Sequence, residues 1–294
     1  MNINLWKEIV SFTELKKYPQ LPCPHCLNIK LTLDETSIQK RTISEEILKK
    51  NNRKYREQKN VNVKKNKNQI EQLSQGDGFW LKLLAVAGST YMDLIDPFNG
   101  KQFLFNSFFT CENCNASVTA TGIYLQPLKL SEQAPEKSPM IKIDHFSPTI
   151  PMIEISKNVP SDIHTELNDA FKHFHFDPLS AASKLRRAIE QFCVDFQLKG
   201  KNLHQKICSL KEKYPEEAEY LEALKLIGNE GTHDHDVSEI DLLHAFEIVQ
   251  FVLEIYDRKA RYKETQSNYE QLVSKFDEVK IQLRIPKLVK SQVN

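Results

Sequence analysis

The stretch Phe103 to Gln126 reads FLFNSFFTCENCNASVTATGIYLQ, two runs rich in aromatic and β-branched residues on either side of a C-x-x-C pair, Cys111 and Cys114. Such residues suit a pleated, half-buried surface, so the runs predict two strands joined through the cysteine turn. A second pair, Cys23-Pro-His-Cys26, stands near the start of the chain. This spacing lets each pair grip one metal ion from a tight turn, and four thiolates complete a tetrahedral site. A closed site of that kind is structural, because catalytic zinc keeps a position open for water. The expectation is a small β zinc ribbon that holds Zn2+ through Cys23, Cys26, Cys111 and Cys114. The long stretch between the pairs must then be looped out, which adds little closure entropy.

Other readings of the cysteines are weaker. A thioredoxin-like redox pair needs a βαβ context, and unrelated disulfides do not fit a reducing cytosol. His25 lies inside the first turn and reads as a bystander beside four thiols. Cys193 and Cys208 fall in helical patterns without partners at ligand spacing, which predicts buried small hydrophobes.

Composition sets the outer limits. The chain has 294 residues, 40% hydrophobic and 27% charged, enough for a sizeable core and two domains. The beginning, MNINLWKEIVSF, lacks a basic region followed by a long apolar run, so secretion is not expected and the cytoplasm is. The longest apolar stretch, Phe79 to Ile95, contains Lys82 and Asp93 and predicts no membrane span. Net charge is only +1, yet the segment from Lys40 to Lys67, KRTISEEILKKNNRKYREQKNVNVKKNK, is dense in cations. Its apolar residues keep no helical period, which predicts a projecting arm, either solvated or in contact with phosphates. Lys49, Lys50, Arg53, Lys54, Arg56, Lys64 and Lys65 are the candidate nucleic-acid-binding residues. No interleaved aromatic series accompanies them, so the contact with RNA or DNA would rest on charge and shape.

Beyond a proline-punctuated linker, SEQAPEKSP from Ser131 to Pro139 and then SPTIP and KNVPSD, the pattern turns helical. Ile163, Leu167, Ala170, Phe171 and Phe174 share one face; Leu185, Ile189, Phe192 and Phe196 form a second stripe. Leu203, Ile207 and Leu210, then Leu221 and Leu224, then Leu242, Phe246, Val249, Leu253 and Tyr256 complete the series. Short connectors predict antiparallel neighbours. The tail after Arg258 stays helix-compatible to about Leu283.

Three runs in this half carry a resemblance: DPLSAASKLRRAIEQFCVDF, KNLHQKICSL and LKLIGNEGTHDHDVSEIDLLHAFEIVQFVLEIYD. Together, over roughly Pro160 to Asp257, they resemble the family catalogued as domain of unknown function 4145, a branch of the HEPN superfamily of helical domains. The resemblance implies an α+β protein in which the small β zinc ribbon is followed by an all-α HEPN-like antiparallel bundle. The implied organisation is a zinc-ribbon domain over 1–130 with the basic arm inserted at about 38–100, a linker over 131–161, the bundle over 162–258, and a charged helix and tail over 259–294. It also implies a homodimer through the bundle, a protein partner from the same system, and a place in bacterial toxin–antitoxin or antiviral defence.

Active HEPN proteins are metal-independent endoribonucleases whose signature is an arginine, a polar residue beside it and a histidine a few residues on. Carried over, Asn229 takes the polar position and His233 that of the histidine, while Gly228 stands where the arginine belongs. Cleavage through the 2′-hydroxyl needs a base, an acid and a cation for the growing phosphoryl charge. Histidine serves the first two roles and arginine the third. Arg186 or Arg187, from the neighbouring LRRAIE segment, is the candidate substitute, with Arg187 put forward for the site; the alternative reading pairs Arg186 with Glu190, four residues on, and leaves Arg187 solvated. Two functions follow: a binding and dimerisation module with a degenerate motif, or a ribonuclease that uses His233.

The glycines in LKLIGNEGTHDHD favour a helix cap near Gly228 with a loop after it, and Asp236 or Ser238 as the cap of the last helix. In that reading Asn229 and His233 are structural, and His173, His175 and His235 are surface residues.

Overall fold

The computed structural model describes residues 2–44, 46, 100–127, 138–230 and 237–275, with only the helical backbone for 225–230. Two compact units emerge: Ser11–Leu21 with Asn28–Pro148, mostly sheet, and Met1–Val10 with Pro22–Leu27 and Thr149–Asn294, mostly helix.

The first unit is built on a six-stranded antiparallel sheet. Its strands are β1 (Thr13–Glu14), β2 (Leu21–Pro22), β3 (Ile29–Thr42), β4 (Lys101–Cys111), β5 (Ser117–Gln126) and β6 (Met140–Ser147), in the spatial order β1-β6-β5-β4-β3-β2. Period-two alternation explains the central hairpin. On β4, Phe105, Ser107, Phe109 and Cys111 are buried, with exposed Leu104, Asn106, Phe108 and Thr110 between them. Phe109 is fully buried and meets Tyr18 and Phe146 edge-on, at ring separations of 5.6 and 5.7 Å. Truncating so large a core ring costs about 3–5 kcal/mol.

Strand β3 interrupts its ladder with β4 between Asp34 and Gln39. The side chain of Asp34 closes the bulge by accepting from the Thr36 N–H and hydroxyl, at 2.9 and 2.6 Å. Ser37 Oγ then accepts from the Phe108 N–H at 2.8 Å, taking the place of a ladder carbonyl. On β5 the register shifts at Gly122, where the strands come so close that a Cβ would stand 2.1 Å from the Lys142 carbonyl oxygen. Only glycine fits there.

In the second unit the helices are α1 (Ile3–Ile9), α2 (Ser161–His173), α3 (Pro178–Asp195), α4 (Leu203–Leu210), α5 (Pro215–Glu230) and α6 (Glu239–Lys275). Local chemistry sets most of their starts. Asn2, Asp177 and Asn202 accept from the backbone N–H three residues on, and Pro178 occupies the first turn of α3. Ser238 and Asp241 cap α6 reciprocally: the Asp241 N–H donates to Ser238 Oγ at 3.2 Å, and Ser238 donates its N–H and hydroxyl to Asp241 Oδ2 at 3.0 and 2.6 Å. The apolar stripes supply the core, with Ile163, Leu167, Phe174, Leu185, Phe192, Ile207, Leu221 and Phe246 all at most 2% exposed.

The expected fold, a small ribbon followed by an all-α HEPN-like antiparallel bundle, is overturned. The β part is a full six-stranded sheet, and the helices after it do not make a HEPN bundle. Two segments account for the difference. Met140–Ser147, inside the stretch read as linker, alternates buried Ile141, Ile143 and Phe146 with more exposed residues and pairs with β1 and β5. Its flanking prolines hid that period. Ile3–Ile9, unassigned from sequence, is a helix that buries Leu5, Trp6 and Ile9 and packs on α6.

The C-terminal helix runs 37 residues from Glu239 to Lys275. The cap anticipated at Gly228 does not form, because α5 continues through Gly228 and Asn229 to Glu230. Tertiary packing along the buried stripe of Ala218, Leu221 and Leu224 outweighs one glycine penalty of about 1 kcal/mol. Among the described residues no helix is long and apolar enough to cross a membrane.

Candidate metal centre

The two C-x-x-C turns adopt the same backbone geometry. In the first, the Leu27 N–H donates to the Cys23 carbonyl at 2.8 Å; in the second, the Asn115 N–H donates to the Cys111 carbonyl at 2.9 Å. Each donor follows directly on the second cysteine, and each has left-handed backbone, φ 61° at Leu27 and 57° at Asn115. Tight turns of this shape aim both sulfurs of a pair to one side. The His25 N–H donates to Cys23 Sγ at 3.4 Å.

The second turn grows out of the β4–β5 hairpin, closed by the Cys111 N–H donating to the Ala116 carbonyl at 2.9 Å. It is tied to β3 by the Glu112 N–H, which donates to the Lys30 carbonyl at 2.9 Å, and by its side chain. Glu112 Oε1 accepts from Gln20 Nε2 and Thr32 Oγ1, at 3.2 and 3.1 Å, and Gln20 also donates to Thr32. The sulfurs of Cys23, Cys26, Cys111 and Cys114 all lie within 4.8 Å of one another. Sulfur ligands about 2.3 Å from a tetrahedral ion stand roughly 3.8 Å apart, so the four fit one thiophilic cation. Cys23 and Cys111 are buried and Cys114 is exposed. His25 is exposed and outside the cluster.

The other sequence-derived residues are dispersed or lie outside the described residues. Lys49, Lys50, Arg53, Lys54, Arg56, Lys64 and Lys65 fall in the second group, as do His233 and His235. Asn229 lies near the end of α5, its side chain outside the described residues. Arg187 sits on α3 and binds Glu166 of α2 at 2.7 Å; Arg186 pairs with Glu190 one turn along at 3.1 Å. Glu166 also faces Lys184 at 3.6 Å, an ion pair too long to be a hydrogen bond. Arg187 is thus part of an α2–α3 charge network that includes Asp169, held by Lys172 and Lys184 at 2.7 and 2.9 Å.

His175, read as a surface residue, is buried against Trp6 and Phe174, at ring separations of 6.4 and 4.7 Å. Cys193 is fully buried, and burial pushes its thiol up to about 11, as suits an inert core residue. Cys208, expected to behave likewise, is instead half-buried beside His204 and Glu222. The i, i+4 spacing of His204 and Cys208 was legible in KNLHQKICSL; the approach of Glu222 was not.

No curated protein and no solved structure matches the chain. Residues 168–278, from within α2 to just past the end of α6 as described, match the model of a family described as a domain of unknown function (DUF4145).

Proposed function

We propose that the protein is a zinc-stabilised module that binds the backbone of RNA or DNA through its basic segment and does not cleave it. The carrying observation is where that segment is attached. Strands β3 and β4 pair from Leu31–Cys111 at one end to Thr42–Phe103 at the other, so residues 43–100 connect the strands at the end remote from the Cys111 turn. Exposed Lys40, Arg41 and Lys101 extend the positive charge onto the strands. The order is a cysteine-bearing end, a rigid hairpin and a cation-rich insertion.

Zinc suits the four sulfurs because thiolates favour a soft or borderline cation, and a set of four leaves no position for substrate. Its contribution would be to fold rather than to react. A binding rather than a cleaving role is supported by the missing cation: Gly228 stands at the arginine position and Glu166 engages Arg187. Histidine without a charge clamp lacks the group that stabilises a phosphorane-like transition state. Homodimerisation, a protein partner and a role in bacterial defence come from the family resemblance alone.

The test is fluorescence anisotropy of labelled single-stranded RNA and DNA across a salt series. The wild type should bind with a steep salt dependence, each phosphate contact contributing roughly 0.7–0.9 to the slope of log affinity against log salt. Replacing Lys49, Lys50, Arg53, Lys54, Arg56, Lys64 and Lys65 together by glutamine should abolish binding, and His233→Ala should leave it intact. Undiminished binding by the glutamine variant would overturn the proposal. RNA cleavage in chelator that disappears in His233→Ala would establish the ribonuclease reading in its place.

A further inference from the structure

Away from the four-cysteine cluster, one other group of metal-ligating side chains converges among the described residues. His204 and Cys208 stand one turn apart on α4 and so share a face. Glu222 approaches them from α5, which follows α4 through the short turn ending at Tyr214. His204 Nδ1 lies 2.7 Å from Glu222 Oε1. Cys208 Sγ lies 3.8 Å from that oxygen, and 3.9 and 3.8 Å from Nδ1 and Nε2 of the imidazole.

These distances resemble a ligand shell more than a chance surface pair. Around a tetrahedral zinc-class ion, with bonds of about 2.3 Å to sulfur and about 2.0–2.2 Å to nitrogen or oxygen, ligand atoms stand roughly 3.3–3.6 Å apart. The two sulfur separations need to close by only a few tenths of an ångström. The His204–Glu222 hydrogen bond needs to open by about half an ångström, with the ion replacing its proton. The donor set of imidazole nitrogen, thiolate and carboxylate suits zinc, cobalt or nickel and not magnesium or calcium, which take oxygen ligands.

The environment separates this group from the cysteine cluster. The His204 side chain is 56% exposed and that of Glu222 22%. Three protein ligands at a solvent-facing position leave the fourth place to water, whereas four thiolates leave none. We propose that His204, Cys208 and Glu222 form an open, three-ligand site for a divalent transition metal, which clips α4 to α5 and keeps one exchangeable position. The proposal is independent of the nucleic-acid reading.

The test is metal stoichiometry on the full-length chain, loaded with zinc, freed of excess and measured by inductively coupled plasma mass spectrometry. The wild type should retain two equivalents. His204→Gln, a change on a side chain that is more than half exposed, should lose one, as should Cys208→Ala. Cys111→Ser should lose the other. Cobalt added in place of the second equivalent should show sulfur-to-cobalt charge transfer that vanishes in Cys208→Ala and survives in Cys111→Ser. A wild type that holds one equivalent, or a second equivalent retained by both His204→Gln and Cys208→Ala, overturns the site.

Discussion

Leu27 and Asn115 occupy the same place in the two cysteine turns, each in left-handed backbone and each donating its N–H to the carbonyl of the first cysteine of its pair. Asparagine tolerates that conformation, whereas leucine does so at a cost of about 1–2 kcal/mol. The turn therefore overrides the local preference of Leu27, whose side chain is half exposed.

Leu27→Gly should raise stability, by about 1 kcal/mol after the extra entropy of glycine in the unfolded chain is set against the relieved strain. Asn115→Gly should do little. Thermal unfolding checks both, and a lower midpoint for Leu27→Gly would contradict the account of the turn.

Gly122 makes the opposite prediction. A methyl group there meets the Lys142 carbonyl oxygen at 2.1 Å, and neither strand can retreat without losing ladder bonds. Gly122→Ala should destabilise the sheet by about 1–3 kcal/mol, read from urea denaturation. A neutral result would show that β5 and β6 yield at the register shift.

Asp169 ties acid stability to the α2–α3 contact. Hydrogen bonds from Lys172 and Lys184 hold its carboxyl down to about 2, against an ordinary value of 3.8. A carboxyl lowered by folding adds stability that is complete above the unfolded value and is lost as pH falls through the folded one. The Asp169 contribution is therefore full above about pH 4 and gone by about pH 2. Asp169→Asn should lower stability at neutral pH and flatten the decline between those limits. Denaturant midpoints taken across that range measure it, and an unchanged slope would mean the lysines do not hold the carboxylate.

Arg187 is predicted to act on the fold alone. Arg187→Ala leaves the Glu166 side chain, 10% exposed, facing only the longer Lys184 contact. The expected loss is about 1–2 kcal/mol, limited because more than half of the Arg187 side chain faces solvent. RNA binding should not change. If binding weakened while stability held, Arg187 would belong to a nucleic-acid surface instead.

Much of this was readable from short-range pattern. The C-x-x-C spacings named Cys23, Cys26, Cys111 and Cys114, and the structure gathers their sulfurs. The helical stripes named Leu167, Phe192, Ile207 and Phe246, all buried. Other features were written in the chain but masked by neighbours. Prolines around Met140–Ser147 concealed a strand, and Gly228 suggested a stop where α5 runs on.

Residue type and spacing alone determined the four paired thiols, the apolar faces, a cap for the last helix at Asp236 or Ser238 and the concentration of cations before Lys67, because each depends on chemistry within a few positions of itself. Only tertiary structure decided that six strands make one sheet, that Arg187 is claimed by Glu166, and that Glu222 comes to His204 and Cys208. Those outcomes depend on which buried faces find each other across many residues of chain. That choice is made by the total apolar surface removed from water, a sum that no local stretch contains.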